Sequence, residues 1–328
     1  MDYSGTLFYA GVRCRFLLYA FVEPIVNEPV RKPLDTVAVV SGLALCLIWG
    51  LQQTAIKAAA GDISPMLQVA VRSGVSGLLI LVAARLILHE KWNPEVKFFD
   101  MVLFGLGFVA EFFFVSEGLR FTSAAHMSVL LYTAPLFAAV GLSVKFPEER
   151  LALIQWLGVL VAFLGIATAF LLPALMSGDS AGDYGWIGDL LGLCSGLSWG
   201  MTTVFLRSSS INKATSTQML FCQLAAGFVV LFPVALLTGQ NHFESTLIGW
   251  ASLLYQTFIV SFASYLGWCF LLRRYLIARL NVLIFLTPIF GVLFGILLLG
   301  EDAGWPFAAG SLMVLAGLIL AQRSPRRH

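Results

Sequence analysis

Ten apolar runs, each about 18 to 26 residues long, divide this chain: 34–59, 65–88, 97–119, 124–145, 151–172, 186–208, 216–237, 247–272, 278–299 and 305–322. At a rise of about 1.5 Å per residue, each covers a hydrocarbon layer of about 30 Å as a helix. Lipid offers no partners to exposed backbone groups, and the runs are too long for barrel strands, so helices are the form required. Of 328 residues, 59% are apolar and 12% charged, against roughly a quarter charged in an average soluble domain. No single soluble core can hide that much apolar surface. The expected fold class is therefore all-α integral membrane, with ten transmembrane helices.

Basic residues orient the spans. If each run crosses once, 17 of the 20 Lys and Arg residues fall on one side, Lys57 and Arg120 fall on the other, and Arg72 lies within a span. Loops rich in Lys and Arg stay in the cytoplasm, so both termini are expected there, in a cell (inner or plasma) membrane. A net charge of +2 gives no basic field for nucleic acid. Cys46, Cys194, Cys222 and Cys269 sit inside spans at no metal-ligand spacing and read as packing residues. No metal and no cofactor is expected. Residues 16–26 are apolar but too few to cross, so 1–33 reads as a cytoplasmic or interfacial extension.

The chain also repeats itself. Gly42, Leu43, Leu47, Trp49 and Gly50 recur as Gly192, Leu193, Leu197, Trp199 and Gly200, and Lys57 is matched by Arg207, all at an offset of 150. Ala125, Val129, Leu130, Pro135, Phe137 and Glu148 recur at an offset of 153 as Ala278, Val282, Leu283, Pro288, Phe290 and Glu301. Gly158 and Gly165 return as Gly310 and Gly317. Five spans per copy is odd, so the second copy enters the membrane from the opposite side, giving two inverted-topology five-helix repeats. Such halves can exchange conformations around a central cavity, which is alternating access. A duplicated bundle without transport is the competing account.

On these residues, Trp49-Gly50 with Lys57, Pro65 with Arg72, the Ala-x-x-x-Val-Leu-x-x-x-x-Pro segments ending at Pro135 and Pro288, and the Glu-then-Gly patterns from Glu148 and Glu301, the chain resembles the drug/metabolite transporter superfamily, and within it proteins with two EamA domains. The resemblance covers 34–322. It implies a secondary carrier whose first four helices in each half surround a central cavity, the fifth being peripheral. Members export amino acids, metabolites or cationic drugs, and this chain looks most like the aromatic amino-acid exporters. The implied division is an extension at 1–33, a first repeat at 34–172, an external linker at 173–185, a second repeat at 186–322 and a basic cytoplasmic tail at 323–328.

Ionisable groups are costly inside a span, so each is a functional candidate until a structural partner accounts for it. Arg72 and Glu111 lie about 10 and 12 Å from the same membrane face by helical rise, and Gln53 and Tyr132 fall at a similar depth. We expect this polar layer to touch a small-molecule substrate. Arg72 would attract a carboxylate. Glu111 would hold Arg72, meet an ammonium group or carry a coupling proton. A purely structural Arg–Glu pair is the alternative. In the second half, Gln223 stands at the position of Arg72 and Ser264 at that of Glu111, so the charge is one-sided. Trp49, Trp199, Tyr265, Trp268 and Asn281 are further lining candidates, with helix packing as the plainer account of each.

Pro135 and Pro288 fall mid-span and are expected as paired hinges, while Glu148 and Glu301 lie at helix ends, where a gate or a solvated carboxylate both fit. His126 reads as interfacial. No catalytic residue is expected, since neither H-E-x-x-H, G-x-S-x-G nor a phosphate-binding glycine loop occurs, which disfavours a membrane-embedded enzyme. The absence of rings of like residues disfavours a channel. The same carrier could take purines, vitamins or cationic drugs instead.

Overall fold

The protein is seen as a computed structural model that describes residues 35–146, 151–177, 185–275, 283–284, 286–302 and 304–321. The helices are α1 (Thr36–Ala58), α2 (Pro65–Val82), α3 (Phe98–Gly118), α4 (Ala124–Leu131), α5 (Ala134–Lys145), α6 (Leu153–Ser177), α7 (Gly185–Ser208), α8 (Ser216–Leu237), α9 (Leu247–Leu254), α10 (Tyr265–Arg274), α11 (Leu286–Leu299) and α12 (Trp305–Ala321). Among the described residues, the extended pairing is limited to an isolated bridge between Ile63 and Phe243. Seven stretches are long and apolar enough to cross a membrane, and three shorter apolar helices, Leu153–Ala169, Leu286–Leu299 and Trp305–Ala321, fall in the fifth, ninth and tenth runs. The extension at 1–33, most of the 173–185 linker and the tail at 323–328 lie outside the described residues, as do Glu148 and Asn281.

Starts are set by local chemistry. Asp35 caps α1, accepting from Ala38 N at 2.8 Å. That amide, with the Tyr275 hydroxyl, holds its carboxyl below the usual range. Ser123, Thr215 and Thr246 cap α4, α8 and α9 in the same way. Two runs depart from the expected single helix. The fourth breaks at Tyr132 and Thr133, whose dihedrals leave the helix (Tyr132 φ −77°, ψ 9°), and restarts with Pro135 in the first turn of α5. Proline has no N–H to give back to the preceding turn, and the Thr133 hydroxyl takes Leu130 O at 2.6 Å instead.

The eighth run opens into a ten-residue π segment, Tyr255–Ser264, between α9 and α10. Hydroxyls compete for its carbonyls: Thr257 Oγ1 donates to Leu253 O at 2.6 Å, and Ser76 Oγ reaches across from α2 to Thr257 O at 2.9 Å. The wider turn accommodates these intrusions.

The helices assemble across the seam between the copies. α6 packs on α12, α2 on α8, α1 on α11 and α3, α4 and α5 on α7. The equivalent helices α6 and α12 run antiparallel: a Cβ on Gly165 would sit 2.6 Å from Gly310 O, while Gly158 faces Gly317 and Ala321. The same holds for α2 and α8, where Gly74 meets Phe228 and Gly77 meets Leu224. Glycine is required at these approaches because backbone lies against backbone.

Pairings recur from half to half. Cβ atoms on Gly50 and Gly200 would each stand 2.7 Å from the Cβ of Phe290 and Phe137 respectively, and those on Gly42 and Gly192 each 2.9 Å from Leu283 and Leu130. Outward faces such as those of Leu157, Leu160, Leu164, Leu297 and Leu298 are exposed and apolar, as lipid contact demands.

Candidate functional site

Arg72 is the largest fully buried side chain in the bundle, with no exposed surface. It stands on α2 with its guanidinium carbon 4.5 Å from the centroid of the Phe112 ring, on α3. Neither Nε, Nη1 nor Nη2 has a hydrogen-bond partner among the described residues. Its electrostatic neighbours are Tyr265 and Glu111, the latter 9% exposed and one residue before the ring. The contact Arg–Glu ion pair entertained from the sequence is not made among the described residues. A cation–π contact offsets part of the cost of such burial, and five donors remain unspent.

Aromatic rings surround this charge. Trp49 meets Tyr265 edge-on at 6.4 Å and Trp268 at 5.7 Å, and its indole N–H donates to Ser264 Oγ at 2.8 Å. Tyr132, at the break between α4 and α5, is edge-on to Trp199 at 5.5 Å and lies beside Thr287 and Cys46. Gln53 is 3% exposed, its Oε1 unpartnered among the described residues. Gln223 is half-buried on α8. Trp49, Arg72, Glu111, Tyr132, Trp199, Tyr265 and Trp268 thus belong to one connected neighbourhood built by both copies.

Sequence reasoning missed Phe112, Thr287 and Cys46, which were indistinguishable from packing residues. It also missed a buried amide relay. Gln68 on α2 donates to Ile56 O and Ile63 O at 3.1 and 2.7 Å, and Gln256 on the π segment donates to Gln68 Oε1 at 2.7 Å. Two glutamines inside apolar runs were the available signal.

The end of the bundle carrying Lys57 is closed. Ile56, Met66, Val69, Val115 and Met127 fill the space between it and the polar layer. Beyond them lies a cavity of about 410 Å³ lined by Lys57, Ser64, Leu119, Arg120, Gln240 and His242. The α1–α2 connection is stitched to the α8–α9 connection: Glu244 N donates to Asp62 O at 2.7 Å, Thr246 Oγ1 to Asp62 Oδ2 at 2.5 Å, and Ser64 Oγ to Gln240 O.

The turn between α3 and α4 is clamped from three sides. Lys57 Nζ donates to Leu119 O and Thr122 O at 2.5 and 2.8 Å, and Asp189 accepts from Thr122 Oγ1 at 2.5 Å. Glu301 accepts from Ala124 N and Ala125 N at 2.7 and 2.9 Å. Glu301 is therefore bonded to the first turn of α4 rather than solvated. Pro288 lies in the first turn of α11 and is buried.

The opposite end has its own stitching. Asp100 Oδ2 accepts from Ser210 N and Oγ at 2.9 and 2.6 Å, Gln218 Oε1 accepts from Asn93 N at 3.1 Å, and Lys213 meets Glu95 at 2.8 Å. The Lys213 ammonium holds the Glu95 carboxyl below its ordinary range.

A helical bundle built from paired halves, with an unspent buried cation at their seam, has a counterpart among known proteins. The profile of the EamA-like transporter family matches twice, over residues 36–171 and 186–322. The chain belongs to that family. A transporter from Archaeoglobus fulgidus is 28% identical over 282 residues, covering 84% of this chain and 95% of the relative. A probable amino-acid metabolite efflux pump from Salmonella typhimurium is 26% identical over 287 residues, covering 85% and 92%. A solved crystal structure superposes with a TM-score of 0.61 at 17% identity, over 88% of this chain and 98% of that one, and shares the fold. EamA-like proteins are multi-pass membrane transporters, which gives this chain a small-molecule cargo and a bilayer as its surroundings.

Proposed function

We propose that this EamA-like protein is a secondary exporter of small carboxylate-bearing metabolites, with aromatic or other apolar amino acids as the first class of cargo, working by alternating access. The observation that carries the reading is the Arg72 guanidinium, fully buried with its donors unspent. A substrate carboxylate fits that fork bidentately. Phe112, Tyr265, Trp49 and Tyr132 supply a ring-lined wall for an apolar or aromatic side chain. Glu111 takes the ammonium group or a coupling proton. Gln53, Gln223, Trp199, Trp268 and Asn281 complete the lining. The naming of a Salmonella typhimurium relative as a probable amino-acid metabolite efflux pump supports this cargo.

In this reading the chain crosses the membrane ten times as two inverted five-helix repeats, 34–172 and 186–322, with the linker 173–185 outside and both termini in the cytoplasm. Support comes from the antiparallel run of the equivalent pairs α6 with α12 and α2 with α8, and from the bias of basic residues to one face. The state described is closed at the Lys57 end. Glu301 acts as the gate there by holding the α3–α4 turn, Glu148 is its counterpart at the other face, and Pro135 and Pro288 are the hinges.

The test is flux of radiolabelled phenylalanine, leucine and a cationic dye from proteoliposomes, with and without a pH gradient, for wild type, Arg72→Ala and Glu111→Gln. Amino-acid flux lost in Arg72→Ala, with gradient dependence lost in Glu111→Gln, is the expected result. Unchanged amino-acid kinetics in properly inserted Arg72→Ala ends the reading.

A further inference from the structure

The lipid-facing side of the first half carries a groove that its counterpart lacks. An apolar furrow of about 500 Å³ runs between α5, α6 and α7, lined by Phe137, Gly141, Trp156, Val159, Phe163 and Met201 among others. It exists because position 141 is glycine, leaving Phe137 to meet Phe163 edge-on at 5.9 Å. The equivalent position in the second half, at the offset of 153, is Phe294, whose ring lies against Phe290 at 6.5 Å and occupies that space.

The furrow leads toward cations. α5 and α7 run parallel, since Gly192 meets Leu130, Gly200 meets Phe137 and Gly141 meets Val204. Lys145 and Arg207 therefore end up at the same end, about 6 and 9 Å beyond Gly141 and Met201 by helical rise. Both are exposed, and Arg207 lies over the Phe146 ring at 5.8 Å. The second half again differs: Lys145 corresponds to Leu298, and Arg207 to Lys57, whose ammonium is bonded to Leu119 O and Thr122 O. A concave apolar track ending in two exposed basic side chains is the shape and charge of one phospholipid. Acyl carbon fills the furrow, and phosphate sits with the cations at headgroup depth.

We infer that this groove is a specific site for an anionic phospholipid, its acyl chain over Gly141 and its phosphate held by Lys145 and Arg207. The site lies on the opposite side of α5 from the transport seam, so it is independent of which solute is carried. The probe is native mass spectrometry of the full chain, purified in mild detergent and titrated with phosphatidylglycerol or phosphatidylcholine of the same acyl composition. Wild type should retain phosphatidylglycerol preferentially. Lys145→Gln and Arg207→Gln should each reduce that preference by about fivefold while leaving phosphatidylcholine binding unchanged.

Gly141→Phe, which installs the residue of the second half, should abolish tight binding of both lipids. Because a Cβ there meets Val204 at 2.8 Å, Met201→Trp, which fills the furrow from its exposed rim, serves as the second variant. Phosphatidylglycerol retained equally by both filled variants, or no headgroup preference in wild type because Glu148 and Glu149 neutralise the cations, overturns the proposal. So does a filled variant that changes oligomeric state without changing lipid count, which would make the furrow a contact between copies.

Discussion

The two halves share a scaffold and divide the chemistry. At the glycine contacts they are near replicas: Gly42 and Gly192 meet equivalent leucines, and Gly50 and Gly200 equivalent phenylalanines, at matching distances. At the seam they diverge. The first half contributes Arg72, Glu111 and Phe112 from two regular helices, whereas the second contributes Gln223 and Ser264, the latter at the end of a π segment. Packing symmetry is enforced by backbone contact, which any asymmetric substitution would break. Ligand chemistry is under no such constraint, because only one guanidinium is needed per carboxylate and a second buried charge would add its own desolvation cost.

The largest expected effect isolates the asymmetric part. Arg72→Ala should reduce flux at low substrate by about a hundredfold or more, since a buried charge partner is worth roughly 2–5 kcal/mol, whereas Gln223→Ala should cost less than about tenfold. Equal losses in a transport assay would mean that the halves recognise the solute jointly.

Next comes the symmetric part. Gly50→Val and Gly200→Val should destabilise the folded protein by similar amounts, about 1–3 kcal/mol or more from overpacking, read as matched falls in melting temperature. Gly61→Ala, whose Cβ meets nothing within 4 Å, should be silent. Unequal falls for the glycine pair would show that the replica contacts carry different loads.

A smaller difference separates the paired tryptophans. Trp49→Phe removes the bond to Ser264 and should raise KM about fivefold, a neutral hydrogen bond being worth about 1 kcal/mol. Trp199→Phe keeps an edge-on ring against Tyr132 and should change KM less.

The smallest effect concerns the stitching at the two ends. Glu95 is held below its ordinary value of 4.5 by Lys213, so the folded pKa lies below the unfolded one. The tie therefore stabilises above the unfolded value and is lost as pH falls through the folded one. Glu95→Gln should lower the melting temperature slightly at neutral pH and converge with wild type in acid. Thermal melts over an acid series check the convergence, and the exposure of both side chains keeps the effect slight.

Much of this was legible before any coordinates. The spans follow from hydropathy because lipid admits few backbone forms. The repeat follows from residue identity, and the depth of Arg72 and Glu111 from helical rise. What escaped were properties of register in three dimensions. Hydropathy is the same for an α-helix and a π segment, so nothing in 255–264 announced the wider turn. Pro135 marked the break in the fourth run, yet its position at Tyr132 depends on the Thr133 hydroxyl bonding to Leu130 O. Arg72 was flagged by its charge, but the ring beneath it was one of 27 phenylalanines, and only the facing of α2 on α3 selects Phe112.

The contact between α6 and α12 reaches past this single molecule. Each helix there meets the counterpart of itself, turned end for end, and every glycine that one presents is answered by a glycine or alanine on the other. Two separate polypeptides bearing one such surface apiece would be self-complementary in the same way. Cutting the backbone between α6 and α7 should thus leave fragments that, produced together, find each other again in the bilayer, the tether serving to fix their ratio rather than to hold them side by side.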